Sequence, residues 1–178
     1  MKPLNSSLIL TFAAFSLSVA APALAQTPLP LPGANLEEDT DVWRIKEKVP
    51  MTQISPDAAR EGEKGLRVED NDAAEGSSAV SARVNVHPGK RYRITFWGRT
   101  STPGAVGVYA WFYKKAGGAF IGQNPPATAT INKKGDGWTE YSFEAEAPEE
   151  AGYMALWVHS LGQGTGSADL DDFTIEEI

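Results

Sequence analysis

Residues 91–99 read RYRITFWGR, and side-chain character alternates along the whole stretch. Tyr92, Ile94 and Phe96 fall on one side; Arg93, Thr95, Trp97 and Arg99 fall on the other. Successive side chains of an extended chain point to opposite faces, so this period of two marks a strand with one face in a core. The pattern returns in VGVYAWFY at 106–113, where Val106, Val108, Ala110 and Phe112 alternate with Gly107, Tyr109, Trp111 and Tyr113. It returns again in YMALWVH at 153–159, with Met154, Leu156 and Val158 set against Tyr153, Ala155, Trp157 and His159. Each stretch has one face suited to a core and a second rich in rings and hydrogen-bonding groups.

Outward from these three, the chain is strand and turn almost throughout. Strands are expected over 35–45, 65–69, 79–86, 91–99, 105–114, 118–123, 127–131, 138–145, 153–160 and 168–177. HPGK at 87–90, TPG at 102–104, AGG at 116–118, KKGDG at 133–137, PEEAG at 148–152 and GQGTGS at 162–167 supply the turns. Only 54–62 suggests a short helical turn, with Ser55 as N-cap and Pro56 at the first position. Many short strands at this spacing predict an all-β fold, a jelly-roll β-sandwich of two antiparallel sheets, rather than a parallel α/β sheet.

The N-terminus reads as an export signal. Lys2 precedes the apolar run Leu8–Ala21, and APALA places small residues at Ala23 and Ala25, before a cut at Gln26. The run falls short of the ~20 residues a spanning helix needs. Residues 1–25 are therefore expected to be a signal peptide cleaved after Ala25, with secretion or release into a periplasm. Residues 26–34 follow as a Pro-rich extended lead-in, and 35–178 form one domain. No cysteine is present, so neither a disulfide nor a lipidated Cys is expected. The formal net charge of −7 argues against nucleic acid and anionic membranes as partners.

If the three alternating strands neighbour one another in one sheet, their second faces merge. Trp97, Tyr109, Trp111, Tyr113 and Trp157 then share a surface bordered by Arg93, Arg99 and His159. A contiguous aromatic surface of this kind marks a binding site when it is exposed. It suits a sugar, whose C–H face packs on a ring while its hydroxyls meet indole N–H and phenol O–H groups. The alternative is ordinary packing beneath loops or a partner subunit.

Motifs for catalysis are sparse. There is no Cys nucleophile, no G-x-S-x-G elbow and no His-rich zinc set. GQGTG at 162–166 links two strands and opens no helix, so it reads as a loop. The catalytic alternative is a small polysaccharide lyase in which Tyr109 or Tyr113, His159 and Arg99 act as acid, base and charge neutraliser.

Several pieces in order resemble the carbohydrate-binding modules of the cellulose- and xylan-binding type, within the galactose-binding-domain-like jelly rolls. GANLE at 33–37 with Trp43 is similar to their opening Asn-Gly-x-Phe-Glu and downstream Trp, although Leu36 stands where Phe is usual. GLRV at 65–68, VNVHPGKRYRITFWGR at 84–99, GWTEYSFEAEAP at 137–148 and LDDFTI at 170–175 continue the pattern. The resemblance implies polysaccharide or oligosaccharide stacking on Trp97, Trp111 and Trp157. It also implies a structural calcium on Glu37 and Asp171, with Asp172 or Glu38 as further ligands, and packing roles for Trp43 and Trp138. The expectation is a non-catalytic, exported binding protein. A structural or adhesive sandwich that uses its aromatic face for protein contacts is the alternative.

Overall fold

The computed structural model describes residues 26–38, 40–45, 51–123, 125–160 and 164–178; the expected signal peptide at 1–25 lies outside them. The described strands are β1 (Thr27–Pro28), β2 (Arg44–Ile45), β3 (Thr52–Ser55), β4 (Gly65–Asp70), β5 (Ser78–Val80), β6 (Val84–Asn85), β7 (Arg91–Thr100), β8 (Val106–Lys114), β9 (Phe120–Ile121), β10 (Thr128–Thr130), β11 (Gly135–Glu146), β12 (Ala151–Ser160) and β13 (Gly166–Glu177). They form two antiparallel sheets packed as a sandwich. The first runs β11-β7-β13-β4-β3, with β1 on β13. The second runs β10-β8-β12-β5-β2, with β9 on β8 and β6 on β12.

The alternating stretches build the core as their period requires. Tyr92, Ile94 and Phe96 of β7, Val108 and Phe112 of β8, and Met154, Leu156 and Val158 of β12 are fully buried between the sheets. Each large side chain removed from water contributes roughly 1.5–3 kcal/mol. Phe96 lies between Tyr141 and Phe173, at ring separations of 5.5 and 5.8 Å. Trp43 packs 5.1 Å from Phe173 and donates its indole N–H to the Gly33 carbonyl at 2.9 Å. In β13 the period breaks, because Leu170 and Phe173, three residues apart, both point inward. A bulge between Asp171 and Thr174 absorbs the extra residue, with Asp172 in the left-handed region at φ 51°.

Several boundaries differ from expectation. Described residues of 35–45 form turns and a 3-10 turn, Thr40–Val42, before the two-residue β2. Turn-forming Gly33 and the left-handed Leu36 (φ 61°) interrupt extension there. The expected strand 79–86 divides into β5 and β6, and 118–123 shrinks to β9. Within 54–62 the helical turn is only Pro56–Ala58, where Ser55 Oγ does accept from the Asp57 N–H. The preceding β3 was not foreseen, and Thr27–Pro28 of the lead-in joins the first sheet. Trp138 lies outside the core cluster, on the outer face beneath the Arg99 guanidinium at 4.9 Å.

The largest correction is topological. β8 and β12 are neighbours, but β7 belongs to the opposite sheet, between β11 and β13. Trp97, Arg99 and Arg93 therefore face away from Tyr109, Trp111, Tyr113, Trp157 and His159. One merged surface becomes two, on opposite sides of the sandwich.

Candidate functional site

The pairing of β8 with β12 sets Tyr113 opposite Tyr153, Trp111 opposite Ala155 and Tyr109 opposite Trp157. Opposed residues of an antiparallel pair share a face, so these side chains lie together on the outside of the second sheet. Ala155 leaves the gap that lets Trp111 reach diagonally to Trp157. The two indoles stack at 4.3 Å and 28°, and the His159 ring stacks on Trp157 at 4.1 Å and 16°. Trp111 and His159 make no ring contact with each other, so they occupy opposite faces of Trp157. Tyr109 leans on Trp157 at 5.1 Å, and Phe120 of β9 meets Trp111 and Tyr113 edge-on at 5.2 and 5.9 Å. Phe120 is 54% exposed, the most open large apolar side chain described.

Hydrogen bonds hold the row in place. Trp157 donates its indole N–H to Ser78 Oγ at 2.9 Å. His159 Nδ1 lies 2.5 Å from the Ser77 carbonyl, an acceptor, so Nδ1 carries the proton and Nε2 is the acceptor of the neutral ring. Beneath them, Ser160 Oγ donates to the buried Asp70 carboxylate and accepts from the Ser77 N–H at 2.6 Å. That network ties β4 of the first sheet to β12 of the second and fixes the carbonyl that orients His159. Sequence reasoning missed Phe120, Ser77, Ser78 and Asp70 as parts of this site, and it set Tyr153 on this face without naming it among the site residues. Phe120, a ring directly after the AGG turn, had a visible signal; the serines and Asp70 had none.

The outer face of the first sheet is chemically different. Arg60 lays its guanidinium over Trp97, 3.8 Å from the ring centre. Arg67 and Arg99 both grip Asp169, and both donate to the Asp57 carbonyl. With Asp169 they line a polar groove of about 350 Å³. Glu144 accepts from Arg91 and Arg93, and these two hydrogen bonds hold its carboxyl below the usual range. The lyase arrangement is not assembled, because Arg99 lies across the sandwich from Tyr109, Tyr113 and His159.

Glu37 and Asp171 do meet around one segment, residues 60–64, but as acceptors of backbone N–H groups. Asp171, fully buried, accepts from Arg60 N and Asp172 N at 2.8 Å each, one bond per carboxylate oxygen. Glu37 Oε1 accepts from Glu63 N at 2.8 Å and Lys64 N at 2.9 Å. Arg60 also pairs with Asp172 at 2.8 Å, and Lys64 Nζ donates to the Glu37 carbonyl at 3.1 Å. A calcium site needs six or more free oxygen ligands. Here Glu37 Oε1 and both Asp171 oxygens accept from N–H donors, Arg60 and Lys64 lie beside them, and the described residues contain no cluster of three acidic, His or Cys side chains. As arranged, these three oxygens are not free to ligate calcium.

No family model and no curated protein sequence matches the chain. Solved structures do match. A family 16 carbohydrate-binding module superposes with a TM-score of 0.58 at 17% identity, over 80% of this chain and 95% of that one. The fold is that of the carbohydrate-binding modules. A xylan-binding domain of the family 22 type from Paenibacillus barcinonensis gives 0.55 at 17% identity, over 91% and 98%. A Stig cyclase from Fischerella sp. TAU gives 0.58 at 12% identity, over 86% and 98%. Binding modules and enzymes thus share this sandwich, and function has to be argued from the site.

Proposed function

We propose that this protein is an exported, non-catalytic carbohydrate-binding protein that holds an oligosaccharide or polysaccharide segment on the outer face of its second sheet. The observation that carries the proposal is the ring array of Trp111, Trp157 and His159, flanked by Tyr109 and Phe120. Trp157 is enclosed on both faces and serves as the backing ring. Contact with sugar C–H groups falls to the surfaces left open, on Trp111, Tyr109 and Phe120. Each such stack is worth on the order of 1 kcal/mol, so several in a row give weak, additive binding. Phenol hydroxyls and His159 Nε2 supply the polar contacts a sugar needs.

Affinity electrophoresis on a panel of plant and microbial polysaccharides tests the assignment. Wild type is expected to be retarded by at least one of them. Trp111→Ala and Phe120→Ala are expected to abolish retardation, while Trp97→Ala, on the opposite sheet, leaves it intact. If no polysaccharide retards the protein and Phe120→Ala instead breaks an oligomer, the face is a protein contact and the proposal fails.

A further inference from the structure

We infer that the aromatic face is selective for acidic oligosaccharides, those carrying uronate carboxylates; this rests on the carbohydrate reading of the same face. The argument begins with the chain's seven arginines. Arg60, Arg67, Arg91, Arg93 and Arg99 all pair with carboxylates. Among the described residues, Arg44 and Arg83 pair with none.

Both unpaired arginines belong to the second sheet's side of the molecule: Arg44 is in β2, and Arg83 is in the link from β5 to β6. Arg44 is exposed and stands opposite Val80, which is itself opposite Trp157, so its side chain shares the aromatic face. Arg83 is exposed, lies with its guanidinium 3.6 Å from the centre of the Tyr113 ring, and has only the Gly118 carbonyl at 3.3 Å as a hydrogen-bond partner.

The acids are distributed in the opposite way. The outward strand positions of the second sheet that register places beside the rings are Thr128, Thr130, Ser78, Val80, Asn85 and Ala155. None is a carboxylate, in a chain with 23 acidic residues and 16 basic ones. The outward positions of the first sheet hold Glu140, Glu144, Glu146, Asp169 and Glu176, of which Glu144 and Asp169 pair with its arginines. An acidic protein thus presents an aromatic face with two guanidiniums available and no strand carboxylate to repel an anion. A guanidinium offers a planar fork of donors that matches a carboxylate in two parallel hydrogen bonds. The rings take the sugar's apolar faces, and the forks take its acid groups.

Calorimetric titration of the full chain with oligogalacturonate and with cellohexaose and xylohexaose tests this at low and high sodium chloride. Charge-assisted bonds of this kind predict that the uronate binds roughly tenfold tighter at low salt. The preference is expected to shrink with added salt, and the ratio of affinities to fall toward one in Arg44→Gln/Arg83→Gln. Equal or tighter binding of the neutral oligomers, or a ratio unmoved by the double substitution, overturns the inference while leaving the carbohydrate reading standing. Binding of neither class overturns both.

Discussion

Asp171 is fully buried, and burial pushes its carboxyl up to about 6, despite N–H bonds from Arg60 and Asp172 that pull the other way. The folded protein therefore holds this proton more tightly than the unfolded chain, where the ordinary value near 3.9 applies. The stabilisation associated with the raised value is complete below about pH 4 and is lost as pH rises through about 6, with a slope of at most ~1.4 kcal/mol per pH unit. Asp171→Asn is expected to flatten Tm against pH over that window, and a slope identical to wild type would contradict the assignment. At the same scale, Trp97 and Trp111 look alike in sequence: each is the tryptophan on the second face of an alternating strand. Arg60 covers one while the other stays available on the far sheet. Nothing in the neighbouring letters distinguishes them, because the difference comes from a partner 37 residues away for Trp97 and 46 away for Trp157 with Trp111.

Elements are positioned by close approaches that leave no room for a side chain. Gly65 opens β4 where the 3-10 turn Pro56–Ala58 crosses it; a Cβ there would lie 1.8 Å from the Ala58 carbonyl oxygen. Gly65→Ala is expected to destabilise the fold by about 3 kcal/mol, read from chemical denaturation, because the obstacle is backbone and cannot rotate away. Gly62 combines a left-handed backbone at φ 73° with a Cβ position 2.4 Å from Glu37 Oε1, so Gly62→Ala strains the same 60–64 segment. Strand existence was legible wherever alternation ran for seven residues or more, as in β7, β8 and β12. It was not legible for β3 or for the division of β5 from β6, since two to four residues carry too little periodicity to outweigh their turns. The bulge in β13 had a trace in LDDF: two inward-facing apolar residues three apart do not fit a period of two.

For the molecule as a whole, the first prediction concerns metal. With Glu37 and Asp171 engaged by backbone N–H groups, Tm is expected to be the same in EDTA and in added calcium, by differential scanning fluorimetry. The second concerns the core joint between the opening turn and β13. Trp43→Ala removes a ring packed on Phe173 and is expected to cost about 3–5 kcal/mol. The sequence by itself determined the all-β class, the inward face of each long strand and the aromatic character of the opposite faces. Those properties follow from side-chain alternation, which is local. Tertiary structure alone decided which aromatic faces combine. Sheet membership depends on pairing between strands far apart in the chain, and pairing put β7 between β11 and β13 while joining β8 to β12. The same pairing left Arg44 and Arg83 without acids and gave Arg60 and Arg99 theirs, because ion pairs form across strands that only the fold makes adjacent.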